Sequence, residues 1–242
     1  IRDAGLQAFI EENKSRADND LALAEAIRES KAKIILSYFF YKSKDMLGYD
    51  ISQEELDSRI ARIQDSKYKN ILYEKSTEND LFNHIDSQYA PEVNLEILSQ
   101  AAAGSGFINE EPSDDGVVRY SPLVIRLGQE VYTPFAVECV WHYLDNPNLI
   151  LKVDQAGIIG INIGDTFIPT DESGQLLINY LGPPNTFPHY SITRILNDDF
   201  PKGAFKDKLV IVGSTATGAH DLRNTPFSGI HPGLEVQASV ID

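Results

Sequence analysis

An arginine that follows an Asp-Asp-Gly turn is the first group in this sequence that could do chemistry. Asp114, Asp115 and Gly116 predict a tight turn, because glycine accepts the positive φ that such turns need, and a strand follows them. Arg119 then has two interpretations. Its guanidinium either pairs with one of the two acids at the entrance of a hairpin, or faces a cleft and binds a carboxylate or phosphate through two hydrogen bonds.

Hydroxyl side chains follow a predicted buried strand near the end of the chain. Leu209–Gly213 reads as the strand, and Ser214, Thr215 and Thr217 come directly after it. Their hydroxyls and backbone N–H groups could bind an anion beyond the carboxyl end of the strand, where ligands bind in open α/β sheets. A turn satisfied by its own hydroxyls is an equally good interpretation. The segment has neither the Gly-Lys-Ser/Thr of a P-loop nor the GxGxxG spacing.

Four side chains with metal-binding chemistry lie close together in the last part of the sequence: His220, Asp221, His231 and Glu235. They match neither HExxH nor a DxDxDG calcium loop, so we predict no metal site. Asp221 is expected to accept hydrogen bonds from amides of its own loop. Glu235 is expected in the first turn of a helix that begins near Gly233, where a carboxylate is electrostatically favoured.

No nucleophile stands beside a base in the pattern of a known hydrolase. GxSxG does not occur, and His189 and Ser191 are close only in sequence. His84, His142 and His189 are predicted to be surface or satisfied core residues. We therefore predict no catalytic residue and no cofactor. A cell-surface hydrolase, in which a serine or an acid pair converges with His189 or His220, is the least favoured alternative.

Composition disfavours several classes of partner. With 21 Lys and Arg against 36 Asp and Glu, the formal charge is −15, which repels nucleic acid and anionic lipid. The single cysteine, Cys139, cannot form an internal disulfide and is predicted to be a core residue. No apolar run approaches the roughly 20 residues that a membrane-spanning helix needs, and the longest, Ile34–Tyr41, has the length of a strand.

The elements predict an α/β fold with one principal mixed sheet flanked by helices. A helix capped by Asp18 or Asn19 precedes the strand Ile34–Tyr41, which is expected to be buried on both faces. Pro134 is expected in the first turn of a helix that ends near Leu144. Further predictions are helices at 94–103 and 191–197, a turn at 171–174, and strands at 104–109, 117–120, 123–127, 130–132, 150–153, 157–163, 166–168 and 175–180.

Residues 42–90 differ in character from the rest of the chain. They are polar and charged, with a helix predicted over 52–66, where Ser52 and Glu55 have the spacing of a capping box. We interpret 42–90 as a helical, charged insertion into the main sheet.

Several segments in a fixed order resemble the second family of CHASE domains (cyclases/histidine kinases associated sensory extracellular). The family pattern joins a D-x-DG-x-x-R-x-x-PL motif, an alanine-rich helix, an LLINY-x-GP segment, a strand ending VG-x-T/S-A-x-G-x-x-D, and a final TPF…PG-x-E. The matching positions are Asp115, Gly116, Arg119, Pro122, Leu123, Ile168, Pro169, Asp171, Gly174, Leu176–Tyr180 (with Asn179), Gly182, Pro183, Phe187, Tyr190, Ser191, Val212, Gly213, Thr215, Ala216, Gly218, Asp221, Thr225, Pro226, Phe227, Pro232, Gly233, Glu235 and Ala238.

The resemblance covers residues 104–242 closely and Asp18–Tyr41 more loosely. It implies one sensor domain over residues 1–242 on the periplasmic or extracellular side of a bacterial membrane, attached through flanking membrane helices. A nucleotide cyclase, histidine kinase or Ser/Thr kinase is implied on the inner side. The family's usual opening strand and Trp-Pro-Arg-like segment do not precede Ile1, so the chain is expected to be truncated at its N-terminus relative to the family.

The resulting hypothesis is a sensor that binds a small ligand, with an anion as one candidate class, near Arg119, Ser214, Thr215, Thr217 and Asp221. The remaining motif residues, including Asn179, Tyr180, Gly182, Pro183, Thr225 and Pro226, are expected to be structural. A homodimer is a further expectation. The rival hypothesis is a structural module that sets dimer geometry and binds nothing small.

Overall fold

The computed structural model describes residues 18–73, 84–85, 87–215 and 221–242. The elements, in chain order, are α1 Asn19–Glu29, β1 Ile35–Tyr41, α2 Lys44–Leu47, α3 Gln53–Ala61, β2 Ile71–Tyr73, β3 Ala90–Glu92, α4 Glu96–Ser99, β4 Gly104–Phe107, β5 Tyr120–Pro122, β6 Ile125–Leu127, β7 Glu130–Tyr132, α5 Phe135–Tyr143, β8 Leu149–Asp154, β9 Gly157–Ile163, β10 Thr166–Pro169, β11 Gln175–Leu177, α6 Ile192–Leu196, β12 Leu222–Thr225, β13 Ser228–Pro232 and α7 Gly233–Ile241. A short 3₁₀ turn covers Gln64–Ser66.

Several helices begin where the sequence provides a cap. The side chain of Asp18 accepts a hydrogen bond from the amide of Leu21 and so starts α1. Ser52 does the same for the amide of Glu55 at the start of α3. Each cap satisfies a backbone N–H that has no partner within the helix. The predicted N-terminus of α1 and the predicted cap of α3 are confirmed.

The α/β class is confirmed, but the strands of the described residues form five small sheets rather than one principal sheet. Their orders are β3-β1-β4, β10-β9-β8-β2, β11-β5, β12-β13 and β6-β7. β1 and β4 are parallel, as are β2 and β8, and the other pairs are antiparallel. Most strands have only three or four residues, so each sheet stays small and side-chain packing joins them.

Three hydrophobic clusters hold these sheets together. The largest lies on the four-stranded sheet and includes Leu151, Ile158 and Ile161. A second surrounds Phe40, Phe107 and Tyr132 beside β1 and β4. The third joins Val118 and Ile178 to Val236 of α7, so the last helix is part of the core.

The segment 42–90 is built into these clusters. Ile63 belongs to the second cluster, and Tyr68 and Ile85 belong to the first. β2 also pairs with β8 in the four-stranded sheet. The segment thus supplies core side chains as well as the charged surface that the sequence shows.

Three strand predictions are wrong. Of the strand predicted at 117–120, only Tyr120 belongs to a strand, β5. Leu209–Gly213 is not a strand in the described structure, and Val212 is 91% exposed there. Its β-branched residues favour a strand, but no described strand pairs with this stretch, and a strand needs a partner for its backbone groups. β1 is not buried on both faces, because Ser37 and Phe39 are exposed whereas Tyr38 and Phe40 are buried.

Candidate functional site

The predicted Asp-Asp-Gly turn precedes a strand, and Arg119 pairs with the second acid. Nη1 and Nη2 of Arg119 each donate to one oxygen of Asp115, both at 2.7 Å. Gly116 occupies a left-handed conformation with φ +78°, and Asp115 also accepts from the amide of Val117 at 3.1 Å. The guanidinium, and then the backbone amide, lower the pKa of Asp115 to about 2. In this structure Arg119 therefore pairs with one of the two acids, and an anion would have to compete with Asp115 for its guanidinium.

The hydroxyl segment lies beside the start of α7. Ser214 and Thr215 are exposed, and the neighbouring Gly213 is close enough to Leu234 that an added Cβ would contact its side chain at 3.5 Å. Thr217, like Ala216, Gly218 and His220, lies outside the described residues. In the described part of the chain, the side-chain hydrogen bonds of Arg119 go to Asp115 and not to these hydroxyls.

Asp221 also contacts the start of α7. Its backbone oxygen accepts from the amide of Gly233 at 2.9 Å, and its carboxylate pairs with Arg223 at 3.2 Å. A Cβ at Gly233 would approach the Oδ1 of Asp221 to 2.3 Å, so a larger residue there would force the Asp221 carboxylate to turn away. The expected bonds from amides of its own loop stay a prediction, because residues 216–220 lie outside the described residues and the contacts of Asp221 in the described structure go to Gly233 and Arg223.

Glu235 lies in the first turn of α7, as predicted, and joins the helix to the loop after Tyr180. The residue is 1% exposed. Its two carboxylate oxygens accept from the amide of Asn185 at 2.9 and 3.1 Å. Nε2 of His189 lies 3.1 Å from the carboxylate, and Nε2 of His231 lies 3.9 Å from it. His189, expected to be a surface or satisfied core residue, faces this buried acid.

His231 connects the same acid to the β12–β13 hairpin. Its Nδ1 lies 3.0 Å from the hydroxyl of Thr225, and its ring packs against Tyr180 with centroids 5.7 Å apart. Burial lowers the pKa of His231, and the charge of Glu235 opposes this effect. The hydroxyl of Tyr180 donates to the backbone oxygen of Val118 at 3.0 Å. Tyr180 and Thr225 thus connect the β12–β13 hairpin to the segments around Val118 and His231.

The other motif positions shape turns. Pro183 accepts two hydrogen bonds through its backbone oxygen from Thr186, at 3.2 and 2.6 Å, and so closes the loop that begins at Gly182. Pro226 lies in the turn between β12 and β13. Asn179 is exposed at the end of the segment that contains β11.

Sequence reasoning missed a second buried acid that reaches α7. Glu110 has a side chain that is 5% exposed, pairs with Arg223 Nε at 2.5 Å, and accepts from Gln237 of α7 at 3.2 Å. Burial raises the pKa of Glu110, and the neighbouring Arg223 opposes the increase. Nothing in the local sequence marks this pair, because Arg223 and Glu110 lie 113 positions apart.

The geometry offers little for the catalytic or metal-binding alternatives. The hydroxyl of Ser191 caps α6 by accepting from the amide of Arg194, and His189 faces Glu235. Across 18–73, 84–85, 87–215 and 221–242, no three His, Cys, Asp or Glu side chains are grouped as metal ligands would be. In the same ranges, every helix is too short or too polar to cross a bilayer.

The comparisons with known proteins agree with the sequence motifs. The family model described as the CHASE2 domain matches residues 5–242, which is nearly the whole chain. No curated protein and no solved structure matches it. The chain belongs to the CHASE2 domain family, a family of extracellular sensory domains rather than of catalysts.

Proposed function

We propose that this chain is the extracytoplasmic signal-input domain of a bacterial transmembrane receptor, with a cyclase, histidine kinase or Ser/Thr kinase as its cytoplasmic output. The family supports the sensory role. The single observation that carries the proposal is the attachment of α7 to two separate parts of the domain through buried side chains.

The first attachment is Glu235, which accepts from Asn185 and faces His189 and His231. The second is Gln237, which donates to the buried Glu110. Because both attachments are buried, a rearrangement of either loop changes contacts that α7 makes. A ligand that binds one arrangement more tightly would shift α7, and coupling of about 1–3 kcal/mol is sufficient for such regulation.

The ligand residues proposed are those predicted from sequence: Arg119, Ser214, Thr215, Thr217 and Asp221. Asp221 supports this assignment because it contacts Gly233 at the start of α7. Arg119 would contribute by exchanging Asp115 for a carboxylate or phosphate of the ligand. A domain that only sets dimer geometry would bind no small ligand. A thermal-shift screen with amino acids, organic acids, sugars and nucleotides therefore distinguishes the two functions, because a ligand that binds the folded domain raises its melting temperature.

The proposed location has a direct test in the full-length protein. Val212→Cys, in a Cys139→Ala background, places a thiol at a position that is 91% exposed. We expect a membrane-impermeant maleimide to label this thiol in intact spheroplasts. Labelling only after lysis would contradict an extracytoplasmic location. A cysteine introduced into the cytoplasmic output domain is the matched control and is expected to react only after lysis.

A further inference from the structure

Asp115 and Gly116 form the one Asp-Gly dipeptide of the sequence, which contains no Asn-Gly dipeptide. An aspartate in this position can react with its own backbone, because the following glycine has no side chain to obstruct the attack. The nitrogen of Gly116 attacks Cγ of Asp115, one carboxyl oxygen leaves as water, and a five-membered succinimide ring forms. Water then opens the ring at either carbonyl. Opening at the main-chain carbonyl yields isoaspartate, whose backbone runs through Cβ.

The fold leaves this dipeptide accessible to solvent. The side chain of Asp115 is 54% exposed, and Gly116 has a left-handed conformation with φ +78°. Apart from the chain neighbours of Gly116, no described atom lies within 4 Å of the place that a Cβ on this residue would occupy. Packing in the described structure therefore does not keep the nitrogen of Gly116 away from Cγ of Asp115.

Four hydrogen bonds oppose the reaction in the folded chain. Arg119 donates to both carboxylate oxygens of Asp115 at 2.7 Å, and the amide of Val117 donates to Oδ1 at 3.1 Å. These bonds favour the ionised carboxylate, which reacts poorly because its oxygen can leave as water only after protonation. The amide of Gly116 donates to the backbone oxygen of Ser113 at 2.7 Å, so the attacking nitrogen is also held in place.

We propose that Asp115 and Gly116 are a site of spontaneous isomerisation to isoaspartate, and that the pair with Arg119 protects this site while the domain is folded. The position matters for the fold, because Val118 follows directly and packs in the same buried cluster as Val236 of α7. Isoaspartate adds one atom to the main chain and would displace this contact. The proposal concerns the chemistry of the domain itself and does not rest on the receptor function.

The test follows the 242-residue chain at pH 7 over several weeks in water enriched in oxygen-18. Ring opening incorporates one solvent oxygen, and chymotrypsin releases a peptide of residues 108–120 in which mass analysis detects the label and chromatography separates isoaspartate. The pair with Arg119 is the main reason that the pKa of Asp115 is about 2 rather than its usual 3.8. We therefore expect Arg119→Ala to take up the label about tenfold faster than the wild type, since a pKa higher by one raises the protonated fraction by that factor.

Arg194→Ala is the matched control, because it removes an arginine that pairs with another exposed acid, Asp199, at 3.0 Å. It should take up the label at the wild-type rate. Asp115→Glu, added to Arg119→Ala, should remove the increase, since glutamate cannot close the same five-membered ring. Equal rates in Arg119→Ala and wild type would overturn the proposal, as would an increase that persists after Asp115→Glu.

A comparison that needs no variant addresses folding. The wild type should take up the label several-fold more slowly when folded than in concentrated urea, and equal rates would overturn protection by the fold. Circular dichroism checks that Arg119→Ala is folded. If it is not, Arg119→Lys decides the question, because lysine keeps the charge but lacks the planar fork that binds both oxygens of Asp115. Its rate is expected between those of the folded and the urea-unfolded wild type, and a rate equal to that of the folded wild type would overturn the proposal.

Discussion

Glu138 provides a sharp test of how burial and charge act in this fold. It lies on α5 with a side chain that is 3% exposed, and Nε2 of His142 is 3.7 Å away. The hydroxyl of Thr133 donates to its carboxylate. Burial raises the pKa of Glu138 from 4.5 to about 7, and the hydrogen bond from Thr133 opposes only part of this increase.

The shift has a defined effect on stability. Between about pH 4.5 and 7 the folded chain holds a proton on Glu138 that the unfolded chain releases, so the contribution of this carboxyl to stability falls as the pH rises. Each pH unit corresponds to about 1.4 kcal/mol. Above pH 7 the ionised group therefore costs the folded state about 3 kcal/mol.

Glu138→Gln removes this cost while keeping the shape of the side chain. We expect the variant to exceed the wild type by about 3 kcal/mol in free energy of unfolding at pH 8.5, and by less than about 1 kcal/mol at pH 5. Urea denaturation at the two pH values measures both. Burial lowers the pKa of His142 below its usual 6.5, so at pH 8.5 the imidazole is neutral and carries no charge that could offset Glu138.

Glu54→Gln, at an exposed glutamate of α3, is the control and should show no such dependence on pH. A difference between Glu138→Gln and wild type that stays constant from pH 5 to 8.5 would refute the reasoning. So would a variant that is less stable than the wild type at pH 8.5.

Three further predictions concern the site and the corrected strand. Arg119→Ala should abolish ligand-dependent output of the intact receptor. The melting temperature of the domain should stay unchanged, because the Arg119–Asp115 pair is exposed. Unchanged signalling would show that Arg119 is not a ligand residue, and loss of folding would show that its role is structural. Gly233→Ala should cost up to about 1 kcal/mol in urea denaturation, because its Cβ would displace the partly exposed Asp221 carboxylate and disturb its ion pair with Arg223. Gly213→Ala, with its nearest contacts at 3.5 Å, is the control, and an equal effect of the two substitutions would contradict the argument. Val212→Asp should change the free energy of unfolding by less than about 0.5 kcal/mol, because Val212 is 91% exposed. A decrease in the free energy of unfolding of more than about 2 kcal/mol would instead support the buried strand that the sequence predicts.

Local signals in the sequence predicted local structure well. The caps at Asp18 and Ser52 lie where expected, and so does the turn around Gly174 before β11. Each of these depends on residues within a few positions of one another. The LVIVG stretch failed because β-propensity specifies a preference and not a partner strand.

Contacts between distant segments could not be predicted in the same way. The β12–β13 hairpin went unnoticed, although Thr225 and Pro226 mark its turn. Glu235 was placed correctly in its helix, but its contacts with Asn185 and His189 depend on the path of a loop far away in the sequence.

The output of the full-length receptor tests the central claim most directly. Glu235→Ala removes both hydrogen bonds to Asn185 and the contacts with His189 and His231, so it separates α7 from the loop after Tyr180. We predict that the cytoplasmic activity of this variant loses its response to the stimulus that activates the wild type, whereas Glu54→Ala keeps the response. An unchanged response in a folded Glu235→Ala receptor would contradict a signal carried by α7.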